Sequence, residues 1–285
     1  MTEIISVIMP AYKAGAWIEG AVRSLLAQRF AGWRLLVVAD DGTDYEAMLA
    51  RQGLRDSRLR FLSSGGVATG AANTRNAGFE AIDTPYAALL DADDRFTPQK
   101  LERVVAALET HAIVSTAIDV LDSEDRHLRY VGDGPDRPLA AGEHKWVNLS
   151  MDTMIAWDRR KTDARFDPAL PNMADLDFLM RLYARSPGSF HLGEPLHLYV
   201  KQPNSLSNTP GVAQRMIAAK TLIRERLAAG YYRFADPRAA EGIDRFLEIS
   251  TEAERRYPGA LAARPGLLFE DHLEPMLRAA STSAA

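Results

Sequence analysis

Tyr86-Ala-Ala-Leu-Leu-Asp-Ala-Asp-Asp-Arg95 is the stretch around which the rest of the chain is organised. Tyr86 to Leu90 is mostly apolar and reads as a buried strand. Asp91, Asp93 and Asp94 then fall where that strand should end, and Thr97-Pro98 resembles a helix start. Carboxylates repel one another, so three of them at a strand's end call for a compensating charge. A divalent hard cation that itself holds a phosphate would supply it. The plain alternative is a solvated turn in which Asp94 and Thr97 cap the next helix.

Upstream, Ile4–Met9 is apolar on both faces, as a central parallel strand should be, and Pro10 is expected to end it. A helix is predicted over Trp17–Gln28, a strand over Trp33–Ala39, and a turn with a helix cap at Asp40-Asp41-Gly42-Thr43-Asp44. A helix over Tyr45–Leu54, a strand over Leu59–Leu62, a Gly/Ser loop over Ser63–Thr69 and a helix over Gly70–Ile82 lead back to the carboxylates. A helix over Pro98–Glu109 and a strand over Ile113–Val120 follow. Strand and helix thus alternate four times in the first 110 residues. That alternation implies an α/β fold, an open parallel sheet with helices on both faces. Such sheets bind ligands at the carboxyl ends of their strands. Tyr12, Asp40-Asp41 and Asp91-Asp93 all fall at such ends.

After Val120 the pattern breaks. Asp122–His144 reads as a long loop or hairpin, Thr153–Trp157 as a strand, Phe166–Pro171 as a connector and Ala174–Ala184 as a helix. Short strands are expected at Phe190–Leu192 and Leu196–Lys201, and a polar loop at Gln202–Pro210. Helices are predicted at Ala213–Ala228 and Pro237–Ser250, with a frayed tail over Ala279–Ala285. The expected division is residues 1–120, 121–208 and a helical extension over 209–285.

Among 285 residues, 47% are apolar and 25% charged, ordinary values for a globular chain. The formal net charge of −4 argues against a nucleic-acid partner, since no basic excess is available to neutralise phosphates. There is no cysteine, which removes thiolate metal sites and cysteine nucleophiles and fits a reducing compartment. No run approaches the roughly 20 apolar residues of a transmembrane helix. A cytoplasmic protein is expected, with peripheral membrane association and a homodimer left open.

The first strand–loop–helix turn, Pro10-Ala-Tyr-Lys-Ala-Gly15, lacks the dinucleotide-binding glycine pattern, and no P-loop or nucleophile elbow occurs. The six histidines have no metal-ligand spacing. What remains is a nucleotide-sized site with a metal and no histidine. Tyr12 offers a ring for base stacking, or packs over the sheet edge. Asp41 could accept from a base N–H, or cap a helix, which Asp44 could do instead. Arg75 could reach a base or a diphosphate, or be an ordinary exposed helix arginine. On the helix beginning at Ala174, Asp177 lies four before Arg181 and is expected to be its surface partner. Asp175 sits in the first turn without such a partner. The helix dipole should lower its pKa, leaving it ionised and able to accept a proton.

These pieces, in this order, resemble the family 2 glycosyltransferases of the GT-A fold. Ser6-Val-Ile-Met-Pro-Ala-Tyr12 is similar to that family's first strand and nucleotide loop, and Val37-Val-Ala-Asp-Asp-Gly-Thr43 to its Asp-Asp-Gly-Ser motif. Gly70–Gly78 resembles its Gly-x-x-x-Ala-Arg-Asn-x-Gly helix, and Leu90-Asp-Ala-Asp-Asp94 its Asp-x-Asp motif. Ala174-Asp175 stands at its Glu-Asp, and Tyr199–Ser207 at its Tyr-Arg-x-His-x-x-Ser-x-Ser loop. The departures are Ala174 for Glu, Val200 for Arg and Gln202 for His, with Lys201 available as a replacement charge. The resemblance, over roughly residues 4 to 207, implies an inverting, metal-dependent transfer of a sugar from a nucleoside-diphosphate sugar, UDP favoured, to an acceptor hydroxyl. The acceptor would be a carbohydrate, a lipid-linked molecule or a small molecule. It implies that Pro10, Ala11, Tyr12 and Asp41 hold the base beside Arg75. It implies that Asp91 and Ala92 meet ribose and metal, that Asp93 ligates Mg²⁺ or Mn²⁺, and that Asp175 is the base. A sugar nucleotidyltransferase and a degenerate nucleotide-sugar-binding module are the alternatives.

Overall fold

A computed structural model of the chain describes residues 4–170, 172–202 and 211–282. Its first half is built as the alternation predicts. Strands β1 (Ile5–Ala11), β2 (Trp33–Ala39), β3 (Leu59–Ser63) and β4 (Tyr86–Leu89) are parallel, in the order β3-β2-β1-β4. Helices α1 (Ile18–Leu26), α2 (Tyr45–Arg51), α3 (Ala71–Glu80) and α4 (Lys100–Leu108) connect and cover them, with a two-residue strand β5 (Arg95–Phe96) before α4. Alternate residues of each central strand enter different cores. Val7 and Met9 of β1 join Ile18, Val22 and Leu25 of α1 and Leu101 and Val104 of α4. Ile8, one position away, joins Phe79 of α3 on the other face. Burial on both faces is why these strands read as unbroken apolar runs.

Beyond β4 the sheet becomes mixed. β9 (Ile155–Asp158) inserts antiparallel between β4 and β6 (Ile113–Leu121), and β10 (Gly188–Val200) runs parallel to β6. The region after Val120 is a hairpin, β7 (His127–Val131) folding back on β6, and β8 (Arg137–Ala140) pairs with β10. The two short strands expected at 190–192 and 196–201 are one strand. Its register slips around Pro195, where a residue without an N–H is tolerated at a bulge. Pro10 does not end β1: it pairs opposite Val38, and the strand runs on to Ala11. The polar loop expected at Gln202–Pro210 lies, from residue 203 onward, outside the described residues.

The short α5 (His144–Val147) and α6 (Ala174–Leu182) precede three helices, α7 (Val212–Ala228), α8 (Ala239–Ala263) and α9 (Phe269–Thr282). Of the tail expected to fray over Ala279–Ala285, residues 279–282 belong to helix α9, and residues 283–285 lie outside the described residues. Amphipathic spacing holds α9 down, with Leu273 and Leu277 buried. Ile223, Ile243, Phe246 and Leu247 of α7 and α8 share one core with Phe178 and Met180 of α6. Among the described residues no helix is long and apolar enough to cross a membrane.

Candidate active site

A cavity of about 730 Å³ opens at the carboxyl ends of the strands. Its lining includes Pro10, Ala11, Tyr12, Arg75, Asp91, Ala92 and Asp93, so seven candidate residues from three separate segments converge. Tyr12 is 47% exposed, with Lys13 Nζ 5.1 Å from the centre of its ring. Lys13, Trp17, Asp40, Asp94, Tyr199 and Gln202 complete much of the wall and were not singled out as ligand contacts from sequence. A second cavity, about 690 Å³, lies between α7 and α8 and is lined by paired charges such as Arg224 and Asp244.

The two aspartates after β2 organise the walls. Asp40 accepts from Ser64 Oγ (2.6 Å), Thr69 Oγ1 (2.6 Å) and the backbone N–H groups of Thr69 and Gly70 (3.0 Å each). Burial works to raise its pKa, yet these four bonds outweigh it and hold the carboxyl below its usual value. The tie sets the start of α3, where Gly70 takes a positive φ of 96°. Asp41 is not among the lining residues. It accepts from Lys13 N (2.6 Å), Thr43 N (2.9 Å) and Tyr45 Oη (2.8 Å). Asp44 supplies the helix cap through Ala47 N (2.8 Å). Asp41 thereby pins the loop that presents Tyr12, and burial together with that carboxylate pushes the Tyr45 hydroxyl up to about 12.

Arg75 is 8% exposed, so it is no ordinary surface arginine. Its guanidinium pairs with Asp91 at 2.6 Å and lies 5.1 Å from the Phe166 ring. α3 can press this close to the sheet because Gly78 has no side chain. A Cβ there would meet Ile8 Cγ2 at 2.6 Å.

Asp93 is pushed up to about 6, chiefly by burial and then by the charge of Asp91, with Arg75 opposing. Asp94 is buried in the cavity's wall, where its carboxylate is tied to the end of β10. It accepts from Val200 N at 3.0 Å and lies 3.2 Å from His197 Nε2, whose Nδ1 is 2.9 Å from Lys100 Nζ. Asp94 therefore caps no helix: it ties the metal-type turn to the end of β10. Burial raises the Asp94 carboxyl and lowers Lys100 and His197, so this inner chain of groups favours neutral forms. The departures from the family pattern are partly explained here. Val200 serves through its backbone, and Lys201 is committed to Glu270 of α9 at 2.9 Å instead of facing the cavity.

Among the described residues no three of His, Cys, Asp and Glu converge on a point that would hold a metal ion alone. Asp91 and Asp93 are the residues that could hold one. They offer hard oxygen donors and a half-buried negative pair that burial disfavours. The chemistry of that donor set fits a hard divalent cation such as Mg²⁺ or Mn²⁺, whose remaining ligands would have to come from a bound substrate or water.

Asp175 is not among the lining residues. It lies in the first turn of α6, half-buried, where Oδ1 accepts from Leu176 N (3.0 Å) and Oδ2 from Asp152 N (3.3 Å). The charge of Arg75, which lines the cavity, acts on both Asp93 and Asp175. The expected lowering of its pKa by the helix dipole is overturned. Burial, then the nearby Asp152 carboxylate, raises it, with Lys145 and Arg75 opposing. Asp177 pairs with Arg181 at 2.6 Å as expected, but it is fully buried and not on the surface. It also accepts from Tyr232 Oη (2.7 Å) and Arg226 (3.0 Å), joining α6 to α7 and the loop after it.

The sequence profile of glycosyl transferase family 2 matches residues 6–186, which include every one of these groups from Pro10 to Asp177. The chain belongs to glycosyl transferase family 2. Its relatives carry the name. Over 105 residues it is 34% identical to the UDP-Glc:alpha-D-GlcNAc-diphosphoundecaprenol beta-1,3-glucosyltransferase WfgD of Escherichia coli, covering 37% of this chain and 41% of that protein. Over 103 residues it is 35% identical to the putative teichuronic acid biosynthesis glycosyltransferase TuaG of Bacillus subtilis, covering 35% and 40%. The chain thus spans about two fifths of the length of these curated relatives. The fold of this family 2 chain is that of S. aureus TarS 1–349 solved with UDP, with a TM-score of 0.70 over 93% of this chain and 76% of that one at 14% identity. The mannosyltransferase PcManGT from Pyrobaculum calidifontis, solved with GDP-Man and Mn²⁺, superposes with a TM-score of 0.60 over 100% and 80% at 14% identity.

Proposed function

We propose that this chain transfers a sugar from a nucleoside-diphosphate sugar, UDP favoured, to an acceptor hydroxyl, with inversion at the anomeric carbon. The observation that carries this reading is the convergence of Tyr12, Arg75, Asp91 and Asp93 from three segments on one cavity at the strands' carboxyl ends. The ring of Tyr12 stacks on the base, with Pro10 and Ala11 beneath it and Asp41 holding the loop. Asp91 and the backbone at Ala92 meet the ribose, and Asp91 with Asp93 would hold Mg²⁺ or Mn²⁺. When bound, that ion neutralises the departing diphosphate. UDP is favoured because the names of WfgD and the TarS complex both carry it.

Asp175 accepts the proton of the acceptor hydroxyl as its oxygen attacks the anomeric carbon. The bond from that carbon to the diphosphate oxygen breaks on the opposite side, and the nucleoside diphosphate carries away the electron pair. A raised pKa makes Asp175 a stronger base than an exposed aspartate. On this reading residues 1–120 bind the donor, 121–208 bring the base, and 209–285 brace both. The acceptor is a carbohydrate, a lipid-linked sugar or a small molecule met on the side of residues 121–208.

The test is a thermal-shift screen of UDP, GDP and TDP and their sugars with and without Mn²⁺. It is followed by product analysis of the stabilising donor. Stabilisation with release of nucleoside diphosphate is expected. Pyrophosphate release would indicate a nucleotidyltransferase instead, and donor binding with neither transfer nor donor hydrolysis a binding module.

A further inference from the structure

Behind Asp175 lies a buried ion pair that neither donor binding nor proton removal, as described, employs. Lys145 of α5 and Asp152 are 3% and 2% exposed, and Lys145 Nζ lies 3.2 and 3.1 Å from the two Asp152 carboxylate oxygens. Asn148 Nδ2 donates to Asp152 at 3.4 Å, and His144 Nε2 stands 3.4 Å from the same carboxylate. The backbone N–H of Asp152 donates to Asp175 Oδ2. Removing two charges from water is costly, and a pair of this kind is often replaceable by apolar residues without loss of stability. Its position against the one carboxylate of α6 that faces away from the Arg181–Arg226 cluster therefore asks for a role.

We infer that the Lys145–Asp152 pair is a positioning device for Asp175: Lys145 holds Asp152 in place, and the Asp152 backbone N–H fixes one oxygen of the Asp175 carboxylate. The inference rests on Asp175 being the base. The groups that face Asp175 have opposed effects. The Asp152 carboxylate disfavours its ionised form, while Lys145 on α5 and Arg75 on α3 favour it. His144 and Asn148 reach it only through Asp152, and Asp177 on its own helix is occupied by Arg181, Arg226 and Tyr232. With one backbone donor on each oxygen, the carboxylate is held in a single orientation and keeps lone pairs for an incoming hydroxyl.

The test needs no donor or acceptor. The full chain is labelled with [¹³Cγ]aspartate, and the carboxyl resonances are followed against pH. The Asp175 signal is assigned by its loss in D175N. In D152N the Asp175 midpoint is expected to fall by about one pH unit, and in K145M to rise by a similar amount. The Asp93 midpoint should stay in place in both. Where a single variant leaves a buried charge unpaired and does not fold, K145M/D152L removes both. There the Asp175 midpoint should still fall, because Asp152 acts on it more strongly than Lys145. An unmoved Asp175 midpoint in the folded double variant, or shifts of the same sign in the two singles, overturns the inference. Failure of the base reading shows elsewhere, as sugar transfer retained by D175N.

Discussion

At the scale of single residues, the site is a set of carboxylates told apart by what surrounds them. Asp40 and Asp41 are saturated with donors and shape loops. Asp91 is held by Arg75, Asp93 is left half-buried beside a like charge, and Asp94 is sealed inside. Substituting the proposed base should separate binding from chemistry: D175N is expected to lose at least ~10²-fold in transfer rate, as loss of general-base help does. Its donor affinity should remain within about twofold of the parent. Calorimetric binding alongside an assay for released nucleoside diphosphate checks both halves. Asp93 makes a second prediction, with its sign set by burial. Its folded pKa of about 6 lies above the usual 3.8, so the stabilising effect of its bound proton is present below about pH 4 and lost as pH rises through 6. In metal-free buffer D93N should therefore melt several degrees above the parent at pH 7.5 and close to it at pH 4. Equal melting temperatures at pH 7.5 would show that the carboxylate is not under strain there.

At the scale of elements, α3 is the piece that links the cavity wall to the surroundings of Asp175, through Arg75. Its N-terminus is fixed by Asp40, its middle carries Arg75, and its close seat on β1 depends on Gly78. G78A would push a methyl group into Ile8 Cγ2 at 2.6 Å. Overpacking of this kind costs about 1–3 kcal/mol. A urea melt should show the loss as a lower midpoint with unchanged slope. Donor affinity should weaken with it, since Arg75 would be displaced from Asp91. A G78A variant as stable as the parent would mean that the helix can slide without consequence. α6 illustrates the opposite arrangement. Leu176, Phe178, Leu179, Met180 and Leu182 are all buried, so the helix is walled in on several sides and the Asp177 carboxylate cannot relax into solvent.

At the scale of the whole molecule, the C-terminal helices close the core instead of hanging from it. Leu273 and Leu277 of α9 sit in the same apolar cluster as Phe178. Charges reinforce the seat: Arg129 of β7 pairs with Asp271 and with Glu274 at 2.8 Å, and Lys201 pairs with Glu270 at 2.9 Å. A chain ending at residue 208 should therefore lose cooperative thermal unfolding and expose apolar surface to a dye such as ANS, because α6 would lie bare. If that fragment showed a sharp near-ultraviolet melt like the parent, the helices would be an accessory layer and not part of the core.

Read as a string of residues, the protein already declared its α/β order through Asp94, the Asp44 helix cap and the motif spacing behind the family assignment. These are local properties: strand burial writes apolar runs, helices write a 3.6-residue period, and turns write Gly, Pro and Asp. What the string could not settle was which of several similar aspartates faces water, ligand or lysine. Asp41, expected to meet a base or cap a helix, ties the loop that presents Tyr12. Asp177, a predicted surface partner, proved buried. The pKa of Asp175 moved against its helix dipole because burial, and then Asp152, 23 positions away in sequence, raises it. Desolvation and Coulomb energy depend on distances through space, and only the packed sheet and its covering helices set those distances.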